Sequence, residues 1–111
     1  MFICIIEFGI KPGMEEVNTK LLQEMFVELA TFEGFFGKES FLDAEKPGRR
    51  ISISYWRDQD ALARWMKNLA HLRTIGIGKR EVFSRYSIRI AEVKRERNWS
   101  APGFAAPGST G

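Results

Sequence analysis

The segment from Phe2 to Phe8 constrains this chain most, because it is apolar on both faces. In an extended strand Phe2, Cys4, Ile6 and Phe8 point one way, and Ile3, Ile5 and Glu7 point the other. A strand that is apolar on both sides belongs in the middle of a sheet, covered above and below. Glu7 is then a carboxylate in an otherwise apolar setting. A chain of 111 residues has room for one domain, so the remaining elements must assemble around this strand.

Gly9 to Gly13 reads as a connection, with Pro12 suited to the first turn of a helix. From Met14 to about Thr31 apolar residues recur at helical spacing, through Val17, Leu21, Met25 and Leu29. Gly34 breaks this pattern, and Phe35 to Leu42 reads as a second strand. Glu45-Lys46-Pro47-Gly48 has turn composition. It leads into a third strand, Arg50 to Trp56, in which Ile51, Ile53 and Tyr55 alternate with Ser52, Ser54 and Trp56. Asp58 is a suitable N-cap for a second helix, whose inward stripe is expected to be Leu62, Trp65, Met66 and Leu69. A further helical turn runs through His71 to Ile75 and stops at Gly76 and Gly78. Glu81 to Val93 is the last strand, with Val82, Tyr86, Ile88 and Ile90 on one face.

Strand-helix-strand twice over is the α+β, ferredoxin-like βαββαβ arrangement, with a four-stranded antiparallel sheet. Its two helices cover one sheet face. The other, carrying Ile3, Ile5 and Glu7, needs a cover of its own, and a second copy of the chain supplies one most economically. Residues 1–97 form this domain. Residues 98–111 are rich in Pro, Gly, Ala and Ser and carry no charge, so they are expected to be a mobile tail.

Charge and composition narrow the function. Seventeen basic residues are interleaved with 14 acidic ones for a net +3, and no face gathers basic and aromatic residues, which argues against a nucleic-acid partner. The longest apolar run is too short to cross a bilayer, and no signal segment opens the chain, so no membrane partner and a cytoplasmic location are expected. Cys4 is the single cysteine and His71 the single histidine, too few for an N/S metal site. Gly76-Ile77-Gly78-Lys79 lacks the spacing and hydroxyl residue of a phosphate-binding loop, and no Gly-x-Ser-x-Gly elbow occurs.

Ser54-Tyr55-Trp56-Arg57-Asp58, followed by Trp65, His71, Gly78 and the strand from Tyr86 to Val93, resembles the antibiotic biosynthesis monooxygenase (ABM) domains of the dimeric α+β barrel superfamily. The resemblance covers Phe2 to Arg95. It implies a homodimeric barrel of ferredoxin-like subunits, each with a pocket between sheet and helices for a small hydrophobic or aromatic molecule. It also implies either cofactor-independent oxygenation of a small aromatic or enolic substrate or, in another branch, haem degradation. That branch uses an Asn, a Trp and a His. Trp65 matches the Trp and His71 is the candidate His, but the Asn position falls on Glu7, and a carboxylate lacks the donor of an amide. A non-catalytic, ligand-binding dimer is the third possibility.

The candidate catalytic residues are therefore Glu7, His71 and Trp65, with Trp56, Tyr86 and Arg89 as substrate-binding candidates. Each has a structural alternative. Glu7 is a buried base or the ion-pair partner of Arg89. Trp65 and Trp56 are pocket walls or plain core. In a continuous helix His71 sits roughly 120° around the axis from Trp65, on a polar face with Arg64, Lys67 and Asn68, so surface and pocket positions are both open.

Overall fold

A computed structural model describes residues 1–104. Strand β1 (Phe2–Ile10) is followed by α1 (Glu15–Leu29), β2 (Phe35–Leu42), β3 (Arg49–Trp56), α2 (Gln59–Met66), α3 (Leu69–Ile77), a π-helical turn (Gly78–Val82) and β4 (Phe83–Glu92). All pairings are antiparallel, in the order β2-β3-β1-β4, so the doubly apolar β1 is interior. This is the expected ferredoxin-like α+β fold with one helix more. Of the expected mobile tail, residues 98–104 are described, with Trp99 and Phe104 exposed, and the rest lies outside the described residues.

The pairing register sets two faces. Phe2, Cys4, Ile6 and Phe8 lie beside Trp56, Ser54, Ser52 and Arg50 of β3 and Glu92, Ile90, Ile88 and Tyr86 of β4. This side receives the helices, and its core joins Cys4, Leu29, Trp56, Ala61, Leu62 and Trp65. A second cluster, Phe8, Ile10, Val82 and Phe83, continues it toward the π-helical turn. On the other side Ile3, Ile5, Ile51, Ile53 and Tyr55 are neighbours, each half-buried in the isolated chain.

Several local details depart from the sequence expectation. In α1 the residue buried near the start is Asn18, and Val17 is 42% exposed. Residues four apart advance by about 40° per step relative to the helix axis, so the row from Val17 drifts away from Leu29, whereas Asn18, Leu22, Met25 and Leu29 stay aligned. Helix α2 starts where expected, with the Asp58 carboxylate accepting a hydrogen bond from the Ala61 amide at 2.8 Å. It stops at Met66, and α3 is a separate helix of nine residues rather than one added turn. Leu69, expected in the inward stripe, is 82% exposed because the break comes before it. Strand β4 begins at Phe83, the preceding residues being wound into the π-helical turn.

Strand β2 contains a bulge. Phe35 lies opposite Trp56, but Gly37 lies opposite Tyr55 and Lys38 opposite Ser54. The extra residue falls at Phe36, and Gly37 has φ +147°, a conformation that disfavours any side chain. Phe35 and Lys38, three apart, therefore face the same side.

Candidate active site

Between the sheet and the helices lies a cavity of about 50 Å³. Its floor is Ile6 and Phe8 of β1, Ser52 and Ser54 of β3 and Lys38 of β2. Its roof is Leu22, Met25 and Leu29 of α1, and Trp65, His71 and Phe83 close it. The space exists because β3 offers serines on its helix-facing side, where bulkier residues would complete a close-packed core. By the same measure a water takes on the order of 10–15 Å³, so several fit.

His71 reaches this cavity because the helix is interrupted. Asn68 adopts an extended conformation, and its side-chain oxygen accepts hydrogen bonds from the amides of Ala70 at 2.8 Å and His71 at 3.2 Å. Its amide nitrogen donates to Glu28 at 2.9 Å, which fastens the break to the end of α1. This N-cap restarts the helix on a new axis. The angle drawn from a continuous helix no longer applies, and His71 turns inward until its ring centroid is 5.3 Å from that of Trp65. It is 4% exposed.

Burial pushes the His71 imidazole below its ordinary value, opposed by a hydrogen bond with the Met66 backbone. The ring is neutral at pH 7, and its Nδ1 has no hydrogen-bond partner. An unmade hydrogen bond at a buried polar atom costs about 1–3 kcal/mol, so packing alone does not favour this placement. A neutral ring with a spare nitrogen can take a proton from a bound molecule.

Trp65 forms the wall beside His71 and stacks on Trp56 with centroids 6.3 Å apart. Trp56 is fully buried behind the cavity, and its indole N–H donates to Ser54 Oγ at 2.9 Å. Tyr86 stands behind Phe83, their rings stacked at 5.8 Å, and burial pushes its hydroxyl up to about 12. Both back the lining rather than form it.

Glu7 and Arg89 are elsewhere. Glu7 lies on the sheet face opposite the helices, as its parity with Ile3 and Ile5 dictates, and accepts from Arg49 at 3.1 Å and Arg89 at 3.3 Å. Arg49 also binds Asp43 at 2.8 Å. The six sequence candidates thus divide into two that line the cavity, His71 and Trp65, two that support it, Trp56 and Tyr86, and two on the far face. Ser52, Ser54 and Lys38 line it without having been expected. The serines were visible as the small polar residues alternating with Ile51 and Ile53.

Next to the cavity runs an open groove of about 450 Å³ lined by Asn18, Thr19, Leu22, Gln23, Phe26, Lys38 and Ser40. Leu22 and Lys38 belong to both spaces.

The sequence pattern of the antibiotic biosynthesis monooxygenase family matches residues 1–76, from β1 to the end of α3. The chain belongs to this family. The family match includes Trp65 and His71 and stops before β4. A jasmonate monooxygenase of the family from Pyricularia oryzae is 28% identical over 93 residues, 84% of this chain and 43% of that protein. YqjZ of Bacillus subtilis, an uncharacterised protein, is 36% identical over 75 residues, 67% of this chain and 64% of its own length. The match therefore spans less than half of the first relative and just under two thirds of the second. The solved structure of SnoaB, a cofactor-independent oxygenase from Streptomyces nogalater, superposes with a TM-score of 0.74 at 15% identity, over 86% of this chain and 94% of that one. At that identity the likeness is one of fold. Among the described residues no helix is long and apolar enough to cross a membrane.

Proposed function

We propose that the chain is a cofactor-independent monooxygenase acting on a small aromatic or enolic compound, with His71 as general base and Trp65 as the wall of the reaction chamber. The observation that carries this is the buried, neutral His71, its Nδ1 unpartnered, set against Trp65 in a largely apolar cavity. Family membership supports the oxygenase class, and relatives named as a jasmonate monooxygenase and a cofactor-independent oxygenase are in keeping with it.

The chemistry asks little of the protein. His71 removes a proton from an activated CH₂ carbon. The resulting carbanion passes one electron to O₂, and the substrate radical couples with superoxide to form a C–O bond. The imidazolium returns its proton to give the hydroperoxide. Loss of the second C–H proton with O–O cleavage releases water and leaves a ketone. The balance is R₂CH₂ + O₂ → R₂C=O + H₂O, with the electrons drawn from the substrate. Apolar walls keep the radical pair and the anion from water. A cavity of about 50 Å³ is narrower than the roughly 300–1,000 Å³ of ligand pockets in general. Entry therefore displaces roof side chains, for which Met25 is suited by its flexible, unbranched form.

Haem draws less support as the bound group. The position matching the Asn of haem-degrading relatives is Glu7, which is held by two arginines across the sheet. The proposed working form is a cytoplasmic homodimer in which the apolar faces around Ile5 and Ile53 close on each other. A lone reduced thiol at Cys4, pushed up to about 11 by burial, suits that compartment.

Oxygen uptake with an anthrone-type substrate tests the reading. His71→Asn should slow uptake by about 10²–10⁴-fold in a protein that remains folded. An unaltered rate would sink the assignment of the base.

A further inference from the structure

The cavity has a second, polar end. Lys38 belongs both to the inner space beside His71 and to the outer groove, so it stands where the two meet. It is there because of the bulge at Phe36 and Gly37, which turns it to the helix side opposite Ser54. Without that extra residue, Lys38 would point to the opposite face from Phe35.

Two observations indicate a ligand. Among the described residues the ion pairs are made by Arg49, Arg57 and Arg89, and Lys38 has no carboxylate partner. Its ammonium lies 5.2 Å from the centroid of the Phe26 ring. Burial lowers the Lys38 pKa, the mark of a cation short of compensation. Independently, Asn18 lines the same groove at 6% exposure with its side-chain oxygen unpartnered. Turning that amide over exchanges its oxygen for an N–H donor. An unpaired cation and a buried amide without a full set of partners sit on one groove. Each is costly for an empty protein and useful to a bound anion.

We propose that Lys38, assisted by Asn18, binds a carboxylate of the substrate at the mouth of the cavity, so that the substrate is an organic acid whose oxidisable carbon lies at some distance from its charged group. This rests on the cavity being the substrate site. The acid end stays at the groove while the apolar end enters toward Trp65 and His71. The division also accounts for the small inner space, since only part of the substrate has to fit there.

The test is calorimetric titration with 2-naphthoate and the uncharged 2-naphthamide at low ionic strength. The acid should bind tenfold or more tightly than the amide, and added salt should narrow the gap. Lys38→Gln should erase the preference, Lys38→Arg should keep most of it, and His71→Asn should leave it intact though oxidation is lost. Equal affinities in the unaltered protein, or a preference that survives Lys38→Gln, would overturn the proposal and leave the cavity as a neutral-ligand site. No binding of either compound would overturn it together with the cavity reading.

Discussion

The two faces of this sheet treat polar groups in opposite ways. On the uncovered face Glu7 has two arginine partners, and Arg49 has a second carboxylate in Asp43. On the helix-covered face, where water is scarcer and a missing partner costs more, His71 and Asn18 each leave a buried atom unpaired, and Lys38 has no counter-charge. Proteins ordinarily satisfy buried groups first. The reversal is in keeping with the roles proposed above: association on the one face, contact with a bound molecule on the other. It also reverses the interest that a lone acidic residue in an apolar strand attracts. Glu7 was the more conspicuous residue in sequence, and it is the one already neutralised.

This contrast can be broken experimentally. The largest effect belongs to the uncovered face. Ile53→Asp puts a charge into an apolar surface proposed to meet its own copy, and should weaken association a hundredfold or more, about 3 kcal/mol. Light scattering that reads twice the 12.7 kDa chain mass for both proteins, at the same concentrations, would show that this face is not the interface.

Glu7→Gln should cost about 1 kcal/mol in urea unfolding, the scale of partly exposed pairs, since Arg89 is 60% exposed and Arg49 keeps Asp43. Oxygen uptake should not change. Loss of activity in a stable Glu7→Gln protein would return Glu7 to the chemistry.

On the covered face the expectation is a trade. Ser52→Val fills part of the cavity with a β-branched side chain suited to a strand. It should raise stability by about 0.5–1 kcal/mol and depress substrate oxidation several-fold. A destabilised protein would mean that the space is needed for folding.

The smallest effect is in pH. Burial lowers the His71 pKa from 6.5, so above that value the residue is neutral folded and unfolded alike. As pH falls below 6.5 the unfolded chain takes up a proton that the folded chain resists, and stability declines until the folded group titrates. The acid limb of oxygen uptake should likewise lie below 6.5 and disappear in His71→Asn. A limb above 6.5 would contradict a desolvated base.

The fold was legible because it depends on periodicity. Alternation in β1 and β3, the helical rows of α1 and α2 and the Asp58 cap sufficed for the βαββαβ order and for the parity of Glu7. The site was less legible because it depends on interruptions of periodicity. Continuing α2 through Asn68 left His71 open between a polar face and the pocket, although Asn is a favoured N-cap and so a signal for a fresh helix. Lys38 went unnoticed because strict alternation from Phe35 assigns it to the other face, and only Gly37 hinted at a bulge. Trp65 was easier, since one regular helix decides its direction.

The break at Asn68 has a consequence for comparing chains. In an unbroken helix the number of residues between a Trp and a His works as a ruler, because each residue adds a fixed rotation. Once a cap restarts the helix, that rotation is no longer carried across. The meeting of the two rings is then set by how α3 docks, not by the count between them. Two sequences can differ in that count and still bring the same pair of side chains together, and two that agree in it can fail to.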